Sequence, residues 1–330
     1  MKNWICAFVL LCSLFTYTKV FSTPINPKKL TLTSEDIDAM MKSLSNWGRW
    51  GKEDQLGAIN LITPQKKKQA TALAKKGISI SLAHNVIKVP TDNSAPFTHK
   101  MLQTGLDFES HFSNDLFSVE YHGFAQTHVD ALCHFFHKGK MYNGFSQRVV
   151  TSKGASRLSV INLKNGILTR GILVDLPRLF GVDYLKENRA IYPGDLEAWE
   201  ARSRIKIQSG DAVLIRTGRW EKRAEEGPWD IENGSAGLHA SCLPWLRKRD
   251  VAVLGSELAL DVIPSGIKGV ESPVHLVLLV AMGVPILDNC DFGKLSQVAN
   301  DLQRWEFLLM AAPLAVEGGT GSPLNPLAIF

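Results

Sequence analysis

Tyr121-His122-Gly123-Phe124-Ala125-Gln126-Thr127-His128-Val129-Asp130-Ala131-Leu132-Cys133-His134-Phe135-Phe136 is the stretch around which the chain is organised. The protein has 9 His, and His122, His128, His134 and His137 lie in or beside it. Neutral imidazole is the commonest metal ligand, and carboxylate is its usual hard partner. His128 and Asp130 are two residues apart, so on an extended chain both side chains leave one face. Asp130 then reads as the N-cap of a helix, which would bring His134 to the same side one turn later. His128, Asp130 and His134 can converge on one point, as a metal and an adjacent acid/base group require. A lone His near aromatic rings is often a hydrogen-bonded core residue. The set as a whole favours function.

Thr127-His128-Val129-Asp130 followed by His134 resembles the metal-binding motif of the cyclase family. This family of metal-dependent hydrolases includes bacterial kynurenine formamidases and isatin hydrolases. Its usual pattern is His-x-Gly-Thr-His-x-Asp-x-Pro-x-His. Here Phe124 stands at the first His, Gln126 at the Gly and Leu132 at the Pro. The first His is normally a ligand, and a phenyl ring cannot replace it. His122 substitutes only if the chain folds back, and Gly123 is the residue that makes a sharp bend easy. Hydrogen bonding of His122 at the rim is the slightly favoured alternative.

Outward from this stretch, short apolar strands alternate with helices. Ile78 to Leu82 alternates like a half-buried strand. Residues 172–175, 212–216 and 251–255 read as buried strands, and 195–204 and 242–249 as helices. The pattern predicts an α/β domain. The family resemblance, from about Trp47 to Phe330, implies a swivelling β/β/α domain. Ser256, Glu257 and Asp261 follow a strand end, where ligand sites form in open α/β sheets. Residues 89–117 are polar and rich in turn formers, a lid or surface excursion. Gly318 to Pro323 lacks the Lys of a phosphate-binding loop and reads as a turn, similar to the family's C-terminal Gly-Ser-Pro turn.

Ser272-Pro273 opens a helix and Gly283 closes it. The segment is apolar on all sides, hence buried, with His275 in its first turn. Val284 to Leu287 then runs as a strand into Asp288. The resemblance makes His275 and Asp288 the remaining metal ligands, with Asp where Glu is commoner.

The expected organisation is a secretory signal peptide over residues 1–22 and a single domain with an N-terminal arm over 23–330. Lys2, the apolar run Trp4 to Phe15 and the small residue Ser22 carry the first part. That run falls short of the ~20 residues of a membrane helix. Losing Lys2 and Lys19 takes the formal charge from +5 to +3. Lys66-Lys67-Lys68 reads as a solvated helix face, so no nucleic-acid partner is expected. Cys133, Cys242 and Cys290 remain, an odd number that argues against a disulfide framework. Trp47 and Trp50, each beside Gly, either wall a substrate pocket or pack the arm onto the body. With Phe124 they are the candidate substrate-binding residues.

A divalent metal, zinc or manganese, held by His128, Asp130, His275 and Asp288, with His122 as a further candidate, would lower the pKa of water to about 7. His134 would serve as acid/base. The resemblance implies hydrolysis of a small amide or lactam in a homodimer or higher oligomer, and the leader implies a secreted or periplasmic location. A secreted non-catalytic metal- or ligand-binding protein of the same fold is the alternative.

Overall fold

The computed structural model describes residues 31–91, 94–106 and 111–330. The expected signal peptide, residues 1–22, lies outside them. Nine strands make one curled sheet: β1 (Ser79–Ser81), β2 (His128–Asp130), β3 (Ile167–Asp175), β4 (Ala212–Arg216), β5 (Val253–Ser256), β6 (Ile286–Asp288), β7 (Glu306–Ala311), β8 (Gly321–Pro323) and β9 (Leu327–Ile329). Their order is β1-β9-β7-β3-β4-β5-β6-β2-β8. The α-helices are α1 (Ser34–Ser43), α2 (Pro64–Thr71), α3 (Leu176–Phe180), α4 (Pro193–Ser203), α5 (Arg219–Glu226), α6 (Leu243–Lys248), α7 (Pro273–Leu276) and α8 (Gly293–Asp301).

The centre is parallel: β3, β4, β5 and β6 run the same way, and the flanking strands are antiparallel. Every residue of β4 and β5 is buried, which is why both read as continuous apolar runs. The expected α/β class is the one observed. A strand with one wet face alternates instead, and β1 buries Ile80 between exposed Ser79 and Ser81. β2 is three residues long, but both neighbours pin its register. His128 pairs with Asp288 on one side and Pro323 on the other, and Asp130 with Ile286 and Gly321. The Gly318–Pro323 segment is therefore more than a turn: it supplies the edge strand β8.

α7 continues as a π-helical segment, Val277–Met282, whose residues are all buried. Ser272 does not cap it with its side chain. The Asp261 carboxylate takes the N–H groups of Val274 at 2.6 Å and His275 at 3.1 Å. Gly283 exits at φ +64°, and a Cβ there would meet the Tyr142 ring at 2.5 Å. The expected Lys face also needs correction. Lys66 turns inward to the buried Asp211 carboxylate, which Arg170 also binds at 2.6 Å, while Lys67 and Lys68 stay exposed. An unpaired Asp211 would be costly to bury, and the two cations offset that.

Thr98–Gln103 pairs antiparallel with Asn114–Ser118, and nearly every residue of the two strands is exposed. Cys133, Cys242 and Cys290 are buried free thiols. Among the described residues no helix is long and apolar enough to cross a membrane.

Candidate metal centre

β2 delivers His128 and Asp130 into the interior, 2% and 1% exposed. The expected helix after Asp130 is absent. A single turn, closed by the His134 N–H on the Ala131 carbonyl at 3.0 Å, brings His134 back to the same side. On the neighbouring strand β6, Asp288 lies opposite His128. α7 drops His275 between the two carboxylates, its Nε2 2.9 Å from Asp288 Oδ2 and 3.8 Å from Asp130 Oδ2.

Three ring nitrogens face one oxygen. Asp130 Oδ1 lies 3.0 Å from His122 Nδ1, 3.3 Å from His128 Nε2 and 3.9 Å from His134 Nε2. None of the three contacts has hydrogen-bond geometry at that oxygen: Asp130 Oδ1, Asp288 Oδ1 and His122 Nδ1 are buried without a hydrogen bond. His128 Nδ1 donates to the Gln126 carbonyl at 2.8 Å, an assignment that follows from the network and leaves the Nε2 lone pair toward Asp130. Lone pair against carboxylate is repulsive unless a proton or a cation lies between them. Two trios have donor atoms within 4.8 Å of one another, His128/Asp130/Asp288 and His122/Asp130/His134, and Asp130 belongs to both. Orphaned carboxylate oxygens and imidazole nitrogens at this spacing suit a divalent cation.

The electrostatics agree. Burial pushes Asp130 up, yet the charges of His134 and His128 and the closeness of His122 outweigh it and hold the carboxyl well below the usual range. Burial would lower His128, but the Asp130 charge raises it. Asp288 is raised by burial despite His275 beside it. His134 is pushed down to about 4 by burial, so its ring is neutral at pH 7.

Supporting residues fix the rings. His275 Nδ1 donates to Asp261 Oδ2 at 2.7 Å, the usual way an imidazole ligand is oriented. Thr320 Oγ1 is 3.0 Å from His122 Nε2. The rings of His122 and His134 stack at 3.7 Å, 4° from parallel. Tyr121 lies 4.6 Å from the His122 ring and Phe135 5.4 Å from the His275 ring.

The candidates His122, His128, Asp130, His134, His275 and Asp288 thus come together. His137 does not: it pairs with Asp38 of α1 at 3.0 Å. Trp47 donates Nε1–H to the Val280 carbonyl at 2.6 Å, at the end of the helical segment remote from His275. Arg49 lies over the Trp50 ring at 4.8 Å. Among the described contacts neither Trp meets the cluster. Phe124 is held by its backbone, its N–H on Ser94 Oγ at 2.8 Å and its carbonyl on Arg219. Of the strand-end trio Ser256, Glu257 and Asp261, Glu257 caps α5 through the N–H groups of Thr217 and Gly218, and Asp261 reaches the site by bonding His275. Thr320 and Asn289 were not legible in the sequence, because neither sits in a spacing that signals ligation.

Residues 67–261 match the Cyclase family model, described as "Putative cyclase". The chain belongs to the Cyclase family. Over 212 residues it is 29% identical to isatin hydrolase of Roseibium aggregatum, covering 62% of this chain and 70% of that one. The crystal structure of a novel cyclase superposes with a TM-score of 0.79 at 32% identity, over 88% of this chain and 99% of that one. Isatin hydrolase A from Labrenzia aggregata, bound to benzyl benzoate, shares the fold with a TM-score of 0.58 at 20% identity, over 79% and 97% of the two chains. The Cyclase family match ends at Asp261, so His275 and Asp288 enter the site through the fold.

Proposed function

We propose that this Cyclase-family chain is a metal-dependent hydrolase of a small amide or lactam. One observation carries the reading: the buried, unbonded Asp130 Oδ1 with three imidazole nitrogens aimed at it. His128, Asp130 and Asp288, with His275 between the carboxylates, would hold the cation, zinc or manganese. When bound, it supplies a Lewis acid that polarises a carbonyl and acidifies water. His134, neutral and a quarter exposed, is placed to take a proton on its ring and return it to a leaving nitrogen. Tyr121 and Phe135 offer aromatic surface beside the cluster, which favours a substrate with an aromatic or apolar group. The isatin hydrolase relatives support the same class.

The secreted binding protein without turnover draws its support from Phe124 at a ligand position. His122, arriving at Asp130 by another route, weakens that support. Export remains our reading of residues 1–22. Assembly into a dimer or higher oligomer remains our reading from the family resemblance, and the solvent-exposed Leu102, Leu106, Phe112, Leu116 and Phe117 support it. The test is metal analysis of the purified mature chain, with hydrolysis of an aromatic lactam and an N-formyl arylamine before and after chelation. Chelator-sensitive turnover is expected. A well-folded chain with no metal and no turnover overturns the proposal.

A further inference from the structure

Between His122 and His128 the chain bends sharply, and three carbonyls of the bend turn inward. The Gly123 carbonyl accepts from Asn289 Nδ2 at 2.7 Å. The Gln126 carbonyl accepts from the same amide at 3.1 Å and from His128 Nδ1 at 2.8 Å. The Phe124 carbonyl accepts from Arg219 Nη2. Arg219 Nη1 also donates to Asn289 Oδ1 at 2.8 Å, so the two side chains brace each other. Thr127 Oγ1 donates to the Asn289 carbonyl at 2.7 Å. Asn289 is fully buried, follows Asp288 directly and stands at φ +53°, a conformation Asn takes more readily than most side chains.

Buried carbonyls keep their places only where donors meet them. Here two side chains meet all three. The shared Gln126 oxygen matters most. Asn289 fixes it, it holds the His128 Nδ1 proton, and Nε2 is left for Asp130. Through Gly123 the same amide holds the turn that carries His122 to the site. We infer that Asn289, braced by Arg219, is a positioning residue that sets the donor geometry of His122 and His128. Its chemical meaning rests on the metal-site reading above.

Asn289→Asp keeps the shape and the acceptor for Arg219 but has no N–H to give. Asn289→Gly keeps the backbone conformation and removes the side chain. Manganese titration by calorimetry should show binding weakened about ten- to a hundredfold in both, the loss typical of a missing ligand support. Hydrogen exchange over residues 121–130 should quicken. In a His122→Ala background the Asn289→Asp loss should shrink, because one of its two routes is already gone. Equal losses in both backgrounds, or unaltered affinity, overturn the inference. If the wild-type chain takes up neither manganese nor zinc, the metal reading falls and exchange alone decides: unchanged exchange in Asn289→Asp then sinks the clamp. Arg219→Lys, with fewer donors, carries the same expectation should one Asn289 variant fail to fold.

Discussion

His122 Nδ1 stands 3.0 Å from Asp130 Oδ1. On an extended chain His122 would lie about 20 Å from His128, too far to share a site. Gly123, at φ +143°, makes the bend that closes the gap. The chain thus carries an imidazole to the place where Phe124 has none to offer.

Asp130 is common to both donor trios, so Asp130→Ala should lose the metal altogether. His128→Ala should lose most of it and His122→Ala less, if one cation is held on the His128 side. Elemental analysis of the three folded variants checks the order. Two tightly bound metals per wild-type chain would contradict the single-cation expectation.

Asp261→Asn removes the charge and one of the two acceptor oxygens that take the His275 Nδ1 proton and the N–H groups at the start of α7. Metal affinity should fall about ten- to a hundredfold. Folding stability should fall by roughly 1 kcal/mol, the usual size of a lost helix cap. Calorimetric titration and urea unfolding read the two effects separately.

Gly123→Ala puts a side chain where φ is +143° and brings a Cβ within 3.1 Å of Ser94 Oγ. The expected cost is about 1–3 kcal/mol, with weakened metal binding because His122 is displaced. Normal stability and normal affinity would show that the bend tolerates a side chain.

Trp47→Ala separates packing from substrate contact. The ring sits against Gly144 and its N–H is bonded to Val280. Stability should drop by about 1 kcal/mol or more, with KM for an aromatic amide unchanged. A raised KM at unaltered kcat and Tm would instead make this Trp a pocket wall.

Mass spectrometry of the protein recovered from the medium or periplasm should find cleavage after Ser22. The basic end and short apolar run are the reason. An intact Met1 in the soluble cell fraction would refute export.

What was legible in the chain followed local periodicity. β4 and the apolar helix ending at Gly283 could be read because burial on both faces leaves an unbroken apolar run. His128 and Asp130 could be read because a strand's two-residue repeat places both side chains on one face. The helix expected after Asp130 failed because the Asp130 side chain is taken up by the histidines rather than by backbone N–H groups. Lys66 failed because its partner Asp211 lies far along the chain. Thr320 and Asn289 act through contacts made at long range, and no short spacing announces such contacts.

β2 hangs between β6 and β8, and β8 lies at the sheet edge, past every donor in sequence. A nascent chain therefore carries all six candidate donors before the strand that fixes their register has been made. Metal capture should wait until β8 has been synthesised, and for an exported chain it would happen in the compartment where folding ends. The ion found in the site would then report the metals of that compartment as much as the preference of the ligands.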